Sequence, residues 1–386
     1  MDQSAHRNHL NSRNQHVIVI DLIRFLAAGL VLLTHLAFDI AERADSPSFV
    51  LSGGTMQRSY SPGVSFYGWI GVQIFFVISG VVITYSARGA STYSFFRSRF
   101  LRLVPMAWLC STLTLLVLLL HHGEFTTEML RGFRHSMFFV PWAPWIDAAF
   151  WTLPVEISFY LLVGVLVSRG RQESVGKLAA FLVWMSLIYW IFFGATAAGL
   201  VSFGGFPVWV ERLLTLLLLK HGCFFAAGIY VCTCFIEGRR RPAWTNIAAL
   251  MLACFMQIYW VTSYFNGNDY RNPAWPAALL WGGSVMVVVL GIRWNAVLRS
   301  NELLVRVLRV LGLMTYPLYL LHQSIGAVLI GHLRLLGATP GMAFSVSVML
   351  VLLISWTAVT WAEPVLKRWV STGMELGRAR LARHGA

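Results

Sequence analysis

The chain has 386 residues, of which 57% are hydrophobic and only 12% charged, with a formal net charge of +14 and a mean hydropathy of +0.66. A water-soluble protein carries about 25% charged residues to solvate its surface, so this composition excludes a soluble globular enzyme and a disordered chain. Five cysteines are too few for a disulfide scaffold. What remains is a polytopic membrane protein, in which each helix crosses the bilayer with about 20 apolar residues.

The positive charge does not indicate a nucleic-acid partner. Lys and Arg residues fall between apolar runs and do not form one basic patch with interleaved aromatic residues. This distribution is typical of a membrane protein with positively charged cytoplasmic loops. Cys232 and Cys234 lack the two-residue gap of a zinc knuckle. We therefore predict a protein embedded in the lipid bilayer, without nucleic acid and without a metal site.

Ten apolar runs long enough to span a bilayer predict an all-α polytopic membrane protein, a bundle of about ten transmembrane helices. The runs cover residues 16–40, 68–87, 103–120, 149–168, 177–200, 212–235, 244–264, 274–292, 310–332 and 341–362. Segments on the N-terminal side of the membrane hold about three times as many Lys and Arg residues as the opposite segments, which predicts that both termini are cytoplasmic. The predicted parts are a cytoplasmic tail at 1–15, a membrane domain at 16–369 and a basic cytoplasmic tail at 370–386.

The first span carries ionisable residues, which are costly in a membrane unless they pair or face water. Arg24 and His35 are eleven residues apart, close to three helical turns, so both side chains project from one face about 16 Å apart along the axis. Taken singly, Arg24 is equally well explained as snorkelling to the interface, and His35 as a polar contact between helices. Together they favour a functional wall across the membrane, in which a neutral His35 accepts a proton from a hydroxyl.

Two further groups complete the predicted site. Arg97, Arg99 and Arg102 precede the third span on the cytoplasmic side, and several arginines in one short segment favour an anionic ligand, although Arg97 alone is better explained as a headgroup anchor. Glu156 lies about two turns into the fourth span and is either a site carboxylate or half of a structural ion pair. His322 lies within the ninth span, where it either serves the site or bonds between helices.

These residues stand in motifs that resemble the membrane-bound acyltransferase family 3. The motifs are Asp21-Leu22-Ile23-Arg24 with His35, Gly71 through Ser79-Gly80, Arg99-x-x-Arg102 with Pro105, Trp151-Thr152-Leu153 with Glu156 and Tyr160, Tyr316-Pro317-Leu318-Tyr319 with His322, and Trp361-x-Glu363-Pro364. They run in family order from about residue 16 to 369. Family members often have glycine where this chain has Leu22, and many carry an extracytoplasmic hydrolase-like domain that is not seen here, which leaves room for a separate extracytoplasmic partner.

The resemblance implies an acyltransferase of the bacterial cytoplasmic (inner) membrane that uses cytoplasmic acyl-CoA, most simply acetyl-CoA, and acylates a hydroxyl of an extracytoplasmic or lipid-linked carbohydrate. His35 would be the catalytic histidine, acting as base or as acyl carrier, with Arg24 as its partner and Glu156 as a further catalytic group. Arg99, Arg102 and Arg24 would bind the donor together with Ser79 and Gly80, although that small pair taken alone favours helix packing. The competing class is a transporter or flippase in which Arg24, His35 and Glu156 form an ion or proton relay.

Overall fold

The computed structural model describes residues 17–56, 63–202, 204–239, 241–267 and 271–384, and the predicted tail at 1–15 lies outside these ranges. All regular structure within them is helical. The main helices are α1 (Ile18–Glu42), α2 (Ile70–Ala87), α3 (Thr92–His122), α4 (Thr127–Met137), α5 (Ala148–Ser168), α6 (Gln172–Ala197), α7 (Val208–Leu216), α8 (Gly222–Ile236), α9 (Trp244–Asn266), α10 (Trp275–Arg293), α11 (Glu302–Leu335), α12 (Pro340–Thr357) and α13 (Glu363–His384). Short helices at Pro47–Leu51, Gly63–Phe66 and Asn295–Leu298 lie between them.

Within the described ranges, nine helical segments are long and apolar enough to cross a membrane. They are α1, α2, α3, α5, α6, α9, α10, α11 and the run Pro340–Leu376, which joins α12 to α13 through a π-helical turn at Ala358–Ala362. The predicted all-α membrane-spanning bundle is therefore confirmed. The cytoplasmic location of both termini stays a prediction.

The prediction of one unbroken sixth span over 212–235 is wrong. Helices α7 and α8 divide this run, and each alone is shorter than the roughly 20 residues of a membrane-spanning helix, so a crossing of the bilayer here takes both of them. The chain turns at Leu218, whose φ of 63° lies in the left-handed region that interrupts a right-handed helix. Every residue of Gly222–Val231 is buried. The apolar character of this segment therefore reflects enclosure by other helices, which a hydropathy pattern does not distinguish from contact with lipid.

Helix α8 crosses α2 in direct backbone contact, which two glycines permit. A Cβ atom on Gly80 would lie 2.3 Å from the carbonyl oxygen of Phe225, and one on Gly228 would lie 2.0 Å from that of Val77. Such contacts are typical of helix packing through small residues in membranes. The structure thus places Gly80, which the resemblance assigned to donor binding, at a helix crossing.

Helix α1 is enclosed between α2 and α11, and this position sets the environment of its polar residues. Gly71 of α2 faces the carbonyl of Ala27, while Gly312 and Gly326 of α11 face Asp21 and Leu36. Close approach on both sides removes the ionisable residues of α1 from lipid and directs them into the protein interior.

Helix α3 begins eleven residues before the predicted third span, and its N-terminus is capped by Ser91, whose Oγ accepts a hydrogen bond from the Ser94 amide at 3.2 Å. The arginine segment predicted to connect two spans is therefore helical. Arg99 and Arg102, three residues apart, lie on neighbouring positions of the helix surface.

Candidate active site

A cavity of about 380 Å³ lies between α1, α2, α3, α5, α11 and α13. It is lined by four of the predicted site residues, Arg24, Ser79, Arg102 and Glu156. The other polar residues around it are Asp21, Thr152, Arg309, Thr315, Tyr316, Tyr319, Glu363 and Lys367. Side chains far apart in sequence thus converge on one polar space inside an apolar bundle.

Three guanidinium groups, those of Arg24, Arg102 and Arg309, face this cavity without a hydrogen bond or ion pair to any residue that the structure describes. Asp21 lies close enough to interact electrostatically with all of them, and Glu156 with Arg24 and Arg102, so that two carboxylates face three guanidiniums. Lys367 also lines the cavity and is ion-paired with Glu363. An excess of cations in a low-dielectric space favours an anionic ligand with several acceptor oxygens.

Arg309 is a site residue that the sequence analysis missed. It lies just before the predicted ninth span, where arginines are expected from the positive-inside rule, so hydropathy gives no reason to single it out. It reaches the cavity because α11 begins at Glu302 and extends below the apolar run.

Glu156 is held by two hydroxyl groups that donate to the same carboxylate oxygen, Oε1. The distances are 2.9 Å from Ser79 Oγ and 2.5 Å from Tyr160 Oη. Ser79 therefore bridges α2 to α5 beside the cavity. Within the described residues no hydrogen bond connects Glu156 to His35, so the structure places Glu156 with the arginines and not with the imidazole.

Arg99 does not line the cavity of Arg24, Arg102 and Arg309, which we call the arginine cavity. It borders a separate, mostly apolar groove of about 480 Å³ on the other side of α3, together with Phe100, Trp108 and Tyr160. Its Nε donates to Ser98 Oγ at 3.2 Å, and its buried Nη1 has no hydrogen-bond partner among the described residues. Arg99 thus borders a different pocket from Arg102, although both were predicted to bind the donor and their charges interact.

His35 lies farther along α1, in a π-helical turn at Thr34–Asp39. Its Nδ1 is 2.8 Å from Asp39 Oδ2. Because a carboxylate only accepts hydrogen bonds, Nδ1 carries a proton, and in the neutral imidazole Nε2 keeps its lone pair. The Asp39 carboxylate is buried and lies 3.7 Å from Arg43 Nη1. Single π turns occur frequently at functional sites, and this one sets the contact between His35 and Asp39.

His322 of α11 is the nearest aromatic neighbour of His35 among the described contacts, with ring centroids 5.3 Å apart. Its ring also contacts that of Tyr319, at 5.9 Å, and Tyr319 lines the arginine cavity. The Tyr319 hydroxyl and Thr152 Oγ1 are hydrogen-bonded at 3.1 Å. Tyr319 therefore lies between the cavity and the histidine pair. Arg24 and His35 both lie beside α11, at different levels along α1.

Asp147 supports this region from the loop before α5. Its two carboxylate oxygens accept hydrogen bonds from the amides of Ala149 and Ser324, each at 2.8 Å. Burial raises the pKa of the Asp147 carboxyl above its usual range, and the two N–H donors oppose that shift. Asp147 thereby joins the start of α5 to the turn of α11 that carries His322. The sequence analysis did not single it out.

Arg212 of α7 fixes the same loop. It donates hydrogen bonds to the carbonyl oxygens of Pro141 and Trp151 and lies over the ring of Trp145. One guanidinium thus holds both ends of the segment that leads to Glu156, which explains why an arginine occurs within an otherwise apolar run.

These observations define a multi-pass membrane protein with a polar internal site. It has an apolar helical bundle, a cavity with three arginines that form no hydrogen bond or ion pair with the described residues, and a nearby histidine–carboxylate pair. Residues 17–360 match the family described as "Acyltransferase domain". Because this match covers nearly the whole chain, the protein belongs to that family, acyltransferase family 3, and is a membrane acyltransferase.

Two relatives are consistent with this assignment. An "O-acetyl transferase" from Shigella phage Sf6 is 28% identical over 275 residues, covering 65% of this chain and 71% of the relative. A "Nodulation protein 10" from Rhizobium leguminosarum bv. viciae is 32% identical over 124 residues, covering 26% of this chain and 34% of the relative. No solved structure matches the chain.

Proposed function

We propose that the protein is an O-acyltransferase that moves an acetyl group from cytoplasmic acetyl-CoA to a hydroxyl of an extracytoplasmic or lipid-linked carbohydrate at the bacterial inner membrane. The observation that carries this proposal is the set of three guanidiniums around one cavity that are unpaired within the described part of the chain, with His35 at a different level of the same helix bundle. The name of the phage relative supports an acetyl group and an oxygen acceptor. The carbohydrate acceptor rests on the family resemblance.

The donor is proposed to bind through its phosphates. Arg24, Arg102 and Arg309 offer planar donor groups that suit phosphate oxygens, and no described residue forms a hydrogen bond or ion pair with these three guanidiniums. The uncharged arm of coenzyme A would then extend past Tyr319 toward His35. Glu156 and Ser79 form one wall of this path, where their mutual hydrogen bond fixes both side chains. Arg99 contributes positive charge from behind α3.

The chemistry is proposed to take place at Nε2 of His35. Asp39 holds the Nδ1 proton, so the lone pair on Nε2 is available to a substrate atom. In direct transfer, Nε2 removes the proton of the acceptor hydroxyl while its oxygen attacks the thioester carbonyl, and the departing thiolate recovers that proton. In double displacement, Nε2 first takes the acetyl group itself.

The proposal is tested with purified protein in liposomes, given acetyl-CoA labelled in the acetyl group and an envelope glycan fraction. We expect release of free coenzyme A and labelled glycan, both abolished in His35→Ala. Exposed Arg306, one turn before Arg309 on α11, provides a matched control in Arg306→Gln, which should keep full activity. Transport of label without coenzyme A release would instead identify a transporter or flippase and contradict the proposal.

A further inference from the structure

The two imidazoles of the site share one feature that the resemblance does not explain. His35 and His322 come from different helices and pack with ring centroids 5.3 Å apart at an interplanar angle of 35°. The two differ in exposure, since 25% of the His35 side chain is accessible and only 1% of His322. Burying a second imidazole beside the first is costly unless its polar atoms are used.

Both rings are fixed in the same tautomer. His35 Nδ1 donates to Asp39, and His322 Nδ1 donates at 2.8 Å to the carbonyl oxygen of Tyr319, which only accepts. Nε2 of His322 therefore carries a lone pair, on the ring edge opposite its own helix backbone. This buried atom has no hydrogen-bond partner among the described residues. Two lone pairs cannot bond to each other, so the site holds two unused basic nitrogens side by side.

We propose that these nitrogens have separate tasks in a double displacement, His35 Nε2 as the nucleophile that carries the acetyl group and His322 Nε2 as the base that activates the acceptor hydroxyl. This inference rests on the proposed function and deepens it. A second base is required by the chemistry, because an acetylated His35 has no free lone pair with which to take a proton. The two rings are in contact, with centroids 5.3 Å apart, so both nitrogens belong to one small region of the site.

The double displacement has two half-reactions, acetylation of His35 and transfer of the acetyl group to the acceptor. First, the lone pair of His35 Nε2 attacks the thioester carbonyl carbon, the C–N bond forms, the C–S bond breaks, and coenzyme A leaves as thiolate. Second, His322 Nε2 takes the proton of the acceptor hydroxyl, the oxygen attacks the acetyl carbon, the C–O bond forms and the C–N bond breaks. The electron pair returns to His35 Nε2, and the proton on His322 passes to solvent after the ester has left, which balances the thiolate released in the first half-reaction.

The burial of His322 suits this task. An acyl-imidazole is readily hydrolysed, and a base that water reaches freely would promote that loss. The acceptor hydroxyl approaches from the exposed edge of His35, and His322 Nε2 is closed to bulk water behind it. Asp147 holds this arrangement through the amide of Ser324, two residues beyond His322.

The test uses the first half-reaction alone, which needs no acceptor. Purified protein in detergent is incubated with acetyl-CoA and isotopically labelled coenzyme A, and label entering acetyl-CoA is measured. We expect wild-type protein to catalyse this exchange, His35→Ala to lack it, and His322→Phe to retain at least about half of it. In the same preparations, acetyl transfer to an envelope glycan fraction should fall about 100-fold or more in His322→Phe.

Retained exchange also shows that His322→Phe is folded, and His322→Gln provides a second, polar variant expected to show the same separation. His332→Phe is the matched control, because His332 lies on the same helix and its Nδ1 likewise contacts a backbone carbonyl, that of Val328, at 2.9 Å. It should keep both activities. Wild-type transfer without exchange, or equal loss of both activities in the His322 variants, would overturn the inference while leaving the proposed function intact. Absence of wild-type transfer would refute the proposed function itself.

Discussion

His35 is held at the end of a chain of polar contacts that starts at an exposed tyrosine. Arg43 Nη2 donates to Tyr264 Oη at 3.4 Å, Arg43 Nη1 lies 3.7 Å from Asp39 Oδ1, and Asp39 Oδ2 lies 2.8 Å from His35 Nδ1. Among these three contacts, only the distance between Asp39 and His35 is short enough for a strong charge-assisted hydrogen bond. For single residues, we therefore propose that the reactivity of His35 depends on Asp39.

Replacing that carboxylate tests the dependence. Asp39→Asn should lower kcat for acetyl transfer about 100-fold, because an amide no longer enforces the Nδ1–H tautomer or stabilises positive charge on the ring. KM for acetyl-CoA should stay within about twofold, since Asp39 does not line the arginine cavity. Steady-state kinetics distinguish the two effects. Asp45→Asn, at a neighbouring exposed acid whose one ion pair is with Arg43, should behave as wild type, and equal loss in both variants would argue against a specific role for Asp39.

The arginine cavity, which is proposed to bind the donor, gives a second prediction for single residues. Arg309→Gln should raise KM for acetyl-CoA about tenfold with little change in kcat, because it removes one charge-assisted contact to a phosphate at a partly solvated position. The KM of the wild type should also rise with salt, and this dependence should weaken in the variant. Kinetics at two ionic strengths provide the measurement, with Arg306→Gln on the same helix as the control. An unchanged KM in Arg309→Gln would remove this residue from the donor site.

Among the helices, the crossing of α2 and α8 explains how α8, which alone is too short to span a bilayer, still belongs to the core of the bundle. The backbones touch at Gly80 and Gly228, and the neighbouring ring of Phe225 stacks on Phe76 at 4.7 Å and on Phe159 at 4.5 Å. Phe76 and Ser79 of α2 also line the arginine cavity. The buried helix α8 thereby supports the wall of the site from behind.

Gly80→Ala should consequently destabilise the protein by about 1–3 kcal/mol, since the added methyl group overlaps the Phe225 carbonyl and the helices must separate. Thermal unfolding in detergent, followed by static light scattering or dye binding, measures this as a lower midpoint. Gly176→Ala in α6 is the control, because a Cβ there meets nothing within 4 Å, and it should be neutral or slightly stabilising. A stable Gly80→Ala protein with a selectively raised KM for acetyl-CoA would instead support the donor-binding role that the resemblance implied.

Particular residues show what a sequence does and does not predict in this protein. The eleven-residue spacing of Arg24 and His35 predicts that both project from one face of α1, because a helix has a fixed period, whereas of the two only Arg24 lines the cavity. Hydropathy correctly identified the long spans but misassigned 212–235, because interior helices and lipid-facing helices are equally apolar. The contacts of Arg309, Asp147 and His322 depend on which helices are neighbours, and a local pattern carries no information on that packing.

For the whole molecule, the distribution of charge predicts the orientation that the proposed function needs. Arg24, Arg102 and Arg309 lie at the end of the bundle predicted to be cytoplasmic, where acetyl-CoA is available. His35, Asp39 and Arg43 lie toward the opposite end of α1, where an extracytoplasmic acceptor would approach. The site therefore extends across the bundle and is not confined to one membrane surface.

This orientation is tested with single cysteines and a membrane-impermeant maleimide on intact cells. Four native cysteines are buried and Cys234 is half-buried, so a Cys234→Ser background should react weakly. Glu124→Cys, at the exposed connection after α3, should be labelled from outside, whereas Ser300→Cys, before α11, should be labelled only after permeabilisation. The reversed pattern would place the arginine cavity at the outer surface and contradict a cytoplasmic donor.

The most direct test of the central claim is the sidedness of acetyl transfer in membrane vesicles that contain a glycan acceptor in the native orientation. Acetyl-CoA labelled in the acetyl group is added outside sealed inside-out or right-side-out vesicles, and labelled glycan is measured on each side. The account predicts that only inside-out vesicles consume acetyl-CoA, that the labelled glycan is enclosed within them, and that His35→Ala abolishes both. Equal consumption by right-side-out vesicles, or full activity of His35→Ala, would contradict it.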